Sequence, residues 1–120
     1  MRFFDEDSIN NAINVCVKYP QYKVVIAAEG YKRLKEISDE LMRFLLNRYS
    51  VLWVWSPRLC PTVKFRNGSV IRVIAGSHTA RGNRCHSLIV DWNVPDSVIA
   101  NVLRPLETLH SYDEWDEVRF

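Results

Sequence analysis

"KVVIAA", Lys23 to Ala28, is a short continuous β-branched run with no polar alternation. A strand with one wet face alternates apolar and polar residues, so an unbroken run marks a strand covered on both sides, as in a parallel sheet between helical layers. The neighbouring segments fit that arrangement. Upstream, Ile9, Ala12, Ile13, Cys16 and Val17 recur at helical spacing behind an N-cap offered by Asp7-Ser8, and Lys18-Tyr19-Pro20 stops the run. Downstream of Glu29-Gly30, Leu34, Ile37, Leu41, Phe44, Leu45 and Arg48 fall in helical register between Tyr31 and Tyr49, with charges on the opposite side, which predicts the longest helix.

Further along, "VLWVWS" (Val51 to Ser56) has the composition of a second strand, and Pro57 and Pro61 bound the loop behind it. In "TVKFRNGSVIRVI" (Thr62 to Ile74), two β-like runs surround Asn67-Gly68, a strong signal for a hairpin. The polar stretch "AGSHTARGNRCH" (Ala75 to His86) reads as a loop leading into the apolar "SLIVDW" strand. Pro95 suits a helix start, with Val98, Ile99, Val102 and Leu103 as its buried face before Pro105 interrupts. The final "SYDEWDEVRF" is acidic with aromatic insertions, and residues 108–120 read as a short helix or a docking tail. Strands alternating with helices, plus one hairpin, predict an α/β three-layer sandwich in one domain spanning 1–120.

Composition narrows the function classes. A chain of 120 residues with 48% hydrophobic content suits one core, and a net charge of +2 is too small to impose a nucleic-acid or membrane role. No apolar run reaches membrane-spanning length and the first residues turn acidic, so the expected location is the cytoplasm, without membrane association. Cys16, Cys60 and Cys85 are widely spaced and odd in number, which argues for buried reduced thiols over a zinc site.

The order strand, helix, strand, hairpin, Arg-Gly loop, buried strand ending in Asp resembles the ATPase domain of phage terminase large subunits, the motors that package viral DNA. The resemblance rests on "KYPQYKVVIAA", "FRNGSVIRVIAGSHTARGNRCHSLIVD" and "VIANVLRPLE", and runs from Ala12 to Glu107. It implies a largely parallel sheet of the P-loop ATPase type. The departures bear on chemistry. Where the family has a glycine-rich loop with a lysine, this chain has "RFFDEDSIN", in which Asp5, Glu6 and Asp7 would repel a triphosphate. Asp91 matches the magnesium-holding position, which makes it a vestigial metal position, but Trp92 stands where the family has a catalytic glutamate. The resemblance therefore implies a shell whose first strand and phosphate loop are lost, no enzymatic activity, no cofactor, and no room for the nuclease domain that follows such motors.

Lys64, Arg66 and Arg72 alternate along the hairpin strands, and with His78, Arg81, Asn83 and Arg84 they are the candidate surface for nucleic acid or a partner. Ordinary solvated charges paired with Asp or Glu are the plainer alternative. Trp92 and Trp115 are candidate interface anchors, while Trp53 and Trp55, two apart on one strand, read as packing. For Asp91, capping of the next turn through the Asn93 or Val94 amides is the expected structural role.

The expected function is thus a non-catalytic viral protein that modulates a macromolecular partner by occlusion, with inhibition of a host nuclease defence enzyme as one concrete form. A nucleic-acid-binding accessory factor in packaging and an ATPase completed in trans are the alternatives. Loss of the first strand would leave an open sheet edge, so a partner or a second copy of the chain is expected near Met1 to Phe4 or along an exposed strand.

Overall fold

The computed structural model describes residues 1–45, 62–75 and 84–107, together with the backbone of 51–55. His78, Arg81, Asn83, Trp115, Cys60, Arg48 and the tail 108–120 lie outside the described residues, as do the side chains of Trp53 and Trp55.

The chain is α/β. Its strands are β1 (Arg2–Phe3), β2 (Lys23–Ala28), β3 (Val51–Trp55), β4 (Thr62–Phe65), β5 (Val70–Ala75) and β6 (Ser87–Val90). They form a single sheet in the order β1-β6-β2-β5-β4-β3. Pairings among β1, β6, β2 and β5 are parallel, and β4 and β3 add antiparallel strands at one side. As its sequence indicates, β2 lies in the parallel core: Val24, Ile26 and Ala28 enter one hydrophobic cluster, Val25 and Ala27 the other. Two packed faces explain why no polar residue interrupts Val24 to Ala28.

Helices α1 (Glu6–Lys18) and α2 (Tyr31–Leu45) cover the first face. Leu34, Ile37, Leu41 and Leu45 of α2 are buried there, as their spacing predicts. Helix α1 begins two to three residues before the expected cap at Asp7-Ser8. Asp5 is the N-cap, its carboxylate accepting the Ser8 amide at 2.6 Å while the Ser8 hydroxyl accepts the Asp5 amide at 2.9 Å. Ser8 is therefore the third residue of a capping box, and this reciprocal pair of bonds satisfies more free amides than a cap at Asp7 or Ser8 could. Val17 also departs from expectation and is exposed, because the buried stripe runs through Ser8, Ala12, Val15 and the buried Tyr19.

On the other face, α3 (Asp96–Val98) continues into a π-helical turn, Ile99–Leu103, and a 3-10 turn, Arg104–Leu106. The expected helix is thus present with its winding altered. Pro105 has no amide proton to donate to an α-helical bond, and the change of winding falls beside it. Ile99, Leu103 and Leu106 are buried against Val25, Ala27, Leu88 and Val90.

The first strand is reduced, not absent. Arg2 and Phe3 pair with Ile89 and Val90, and the Phe4 amide donates to the Val90 carbonyl at 2.9 Å. Beyond the reach of so short a strand, a Glu107 carboxylate oxygen accepts the Leu88 amide at 2.8 Å, which occupies that edge of β6 with a side chain.

The β4–β5 hairpin forms as expected. Its turn differs from the two-residue type with left-handed Asn and Gly. Among the described residues positive φ occurs at Gln21, Gly30 and Gly68, so Asn67 has negative φ; the Gly68 amide closes a turn on the Phe65 carbonyl at 3.1 Å, and Gly68 (φ +90°) is its left-handed residue. A Cβ on Gly68 would stand 3.2 Å from the Gln21 Cγ. Gly68→Ala is expected to lower stability by about 1 to 2 kcal/mol from the left-handed backbone alone, read as a shift in urea midpoint at unchanged slope.

Candidate functional site

In open α/β sheets, ligands sit beyond the carboxyl ends of parallel strands, where successive connections leave to opposite faces. That condition is met around β6. The α3 segment after β6 packs on one face, whereas α1 and α2, which follow its neighbours β1 and β2, pack on the other. The residues at this edge are Phe4 and Asp5 after β1, Asp91, Trp92 and Asn93 after β6, and Glu29 and Gly30 after β2.

Asp91 is 2% exposed. Its carboxylate receives two bonds from Arg33 in the first turn of α2, Nε to Oδ2 at 2.8 Å and Nη2 to Oδ1 at 2.9 Å. Arg33 also reaches Glu36 at 3.1 Å, and its guanidinium carbon lies 5.5 Å from the centre of the Phe4 ring. The hydrogen bonds to Asp91 push the Arg33 guanidinium further above its already high range. The expected capping role therefore belongs to the Asp91 main chain, whose carbonyl accepts the Val94 amide at 3.2 Å, and not to its carboxylate. A buried carboxylate needs a full countercharge, which neutral turn amides do not supply.

The gap between β6 and β2 is clamped by Asn93. Its amide nitrogen donates to the Glu29 carbonyl at 2.8 Å and its side-chain oxygen accepts the Glu29 amide at 3.2 Å, so Asn93 imitates one more rung of the sheet. At the open side, Phe3 and Trp92 stack with ring centres 4.1 Å apart and planes 10° from parallel. Trp92 is 71% exposed and Phe3 36%. No sequence signal marks Arg33, Asn93 or Phe3 as site residues. Arg33 looks like one more charge on the wet side of α2, and only the packing of α2 against this edge brings it to Asp91.

The remaining candidates are dispersed. Lys64 and Arg72 are exposed on the hairpin face opposite the buried Val63, Phe65, Ile71 and Val73, with the Arg72 Nε 3.3 Å from the Thr62 hydroxyl. Arg66 lies in the hairpin turn and Arg84 just before β6, both exposed at the amino ends of the parallel strands. Trp92 is at the opposite end, so the described candidates do not converge on one site. Cys16 and Cys85 are buried in clusters on opposite faces of the sheet and cannot share an ion. Burial pushes the Cys16 thiol well above its ordinary range. Among the described residues no helix is long and apolar enough to cross a membrane.

The architecture defines an α/β protein whose mostly parallel sheet carries helical segments on both faces, with a side-chain-filled switch point. No protein-family model matches the chain, and searches of curated proteins and of solved structures return no match.

Proposed function

We propose that this chain acts without catalysis, by binding a protein partner through the carboxyl edge of its sheet, on a degenerate terminase-like ATPase core of viral origin. The observation that carries the reading is the occupied switch point. Arg33 holds the carboxylate that would otherwise meet magnesium, Asn93 clamps the strand gap, and only Phe4 and Asp5 separate β1 from α1. A phosphate cradle needs a run of free amides, but the Ser8 amide is engaged by Asp5. Asp5, Glu6, Asp7, Glu29 and Glu36 also gather near this edge, against the charge of a triphosphate.

The stacked Phe3–Trp92 pair supports contact with a protein. An exposed indole backed by a second ring is rigid, offers apolar area, and suits the centre of an interface better than the dispersed cations suit phosphate. Occlusion of a viral or host enzyme, such as a nuclease of host defence, is the form of action we favour.

The test compares tagged wild type with Trp92→Ala in affinity capture from phage-infected cells with and without nuclease treatment, alongside titration with a fluorescent ATP analogue and magnesium. A protein partner retained by wild type and lost at least tenfold in the variant is expected, with no saturable nucleotide binding. Recovery of nucleic acid alone would move the packaging-accessory reading to the front, and saturable magnesium-dependent nucleotide binding would overturn the non-catalytic one.

A further inference from the structure

At the end of the sheet away from the aromatic pair, the β2–β6 pairing begins with a side chain. The Lys23 amide, the first of β2, donates to Nδ1 of His86 at 3.0 Å, while the His86 amide donates to the Lys23 carbonyl at 2.8 Å. His86 is 6% exposed and its ring stacks on that of Tyr22, with centres 4.6 Å apart and an angle of 18°. The Tyr22 hydroxyl is 2.5 Å from the Ser87 hydroxyl, so the stacked ring is itself tied to the start of β6. We infer that His86 is a pH-sensitive latch, whose neutral imidazole joins the amino ends of β2 and β6 and whose protonation releases them.

The argument is one of donors and acceptors. Nδ1 can accept the Lys23 proton only while it carries none, which places the ring proton of the neutral form on Nε2. Imidazolium has a donor on each nitrogen, so protonation turns the bond into two N–H groups facing each other and leaves the Lys23 amide without that acceptor. Among the described residues the charged neighbours reinforce this direction. Lys23 adjoins the bonded amide and Arg84 lies two residues before the histidine, both cationic and exposed. Tyr22, with Tyr19 packed at 6.1 Å behind it, contributes rings, and Lys18 lies over Tyr19. Cys85 is buried, and Glu107 directs its carboxylate to the Leu88 amide and the Met1 amino group.

Since folding selects the neutral ring, the folded chain binds this proton less readily than the unfolded one. Stability from the latch is then full above the ordinary histidine titration at about pH 6.5 and declines as pH falls through it, by up to about tenfold in the folding constant per pH unit. The inference is independent of the proposed partner.

The experiment compares wild type with His86→Asn, whose side-chain oxygen occupies the place of Nδ1 and accepts without titrating. Urea unfolding and Lys23 amide exchange are followed from pH 8 to pH 5. Wild type is expected to lose stability more steeply than the variant, with Lys23 exchange accelerating beyond its intrinsic pH dependence in wild type only. Parallel pH profiles for the two proteins would overturn the latch. Should His86→Asn fail to fold, nitrogen NMR of wild type decides: a ring protonated at Nδ1 when neutral, or titrating at or above about pH 6.5, refutes it, and an Nε2-protonated ring titrating lower supports it.

Discussion

Replacing Arg33 by alanine is expected to destabilise the protein by about 3 kcal/mol, the lower end of the cost of breaking a buried ion pair. The lower end applies because the two partners differ in environment. The Asp91 side chain is 3% exposed and the Arg33 side chain 34%, so water screens one side of the pair. The penalty lies mainly in the stranded carboxylate, which would lose both of its short bonds from Arg33. Removing the charge as well should recover part of it, so Arg33→Ala/Asp91→Asn is expected to be more stable than Arg33→Ala. Arg33→Lys should fall between wild type and alanine, since an ammonium supplies charge without the two-pronged geometry. Urea unfolding of the variants measures all three. A change of less than about 0.5 kcal/mol in Arg33→Ala would mean that Asp91 is not committed to Arg33, and would reopen the metal reading of this edge.

The second large effect is expected at Ser69, far from the candidate site. Its hydroxyl donates to the Tyr19 carbonyl at 2.7 Å and accepts the Tyr22 amide at 3.0 Å, and the residue is 0% exposed. Ser69→Ala leaves the buried Tyr22 amide without this acceptor and the Tyr19 carbonyl with the longer bond from the Asn67 amide nitrogen at 3.3 Å, at an expected cost of about 2 kcal/mol. Asn67 beside it donates to the Cys16 carbonyl at 2.7 Å and accepts the Ser69 amide at 3.0 Å, so the hairpin tip ties off the end of α1. Asn67→Asp should therefore be worse than Asn67→Ala, because it sets a carboxylate against the negative end of that helix. Equal stability of the two variants in thermal unfolding would show that the tip does not serve as the helix stop.

These residues also show what a sequence conveys and what it withholds. Asn67-Gly68-Ser69 marks a hairpin because the turn needs a residue tolerant of positive φ, a local requirement written in local sequence. That the same residues cap α1 is invisible, since Cys16 and Asn67 are brought together only by the sheet. The aspartate ending β6 was legible as a special position, and Trp92 was legible as an exposed aromatic. Arg33, which determines what Asp91 can do, was not. Its spacing on α2 says that it faces away from the core, but whether it faces water or a carboxylate depends on how α2 lies against the sheet. The capping box at Asp5 was readable in principle from Asp5-Glu6-Asp7-Ser8, and the denser apolar spacing after Ser8 drew the expected start too late.

What the sequence determined by itself was the alternation of elements: periodicity and turn chemistry are short-range, so β2, the α2 face and the hairpin follow from adjacent residues. Only the tertiary structure decided that the switch point is filled, that β1 keeps two paired residues, and that His86 completes the sheet with its ring. Each of these joins residues distant along the chain, and a polar side chain acquires its role only when folding removes water and supplies one particular partner.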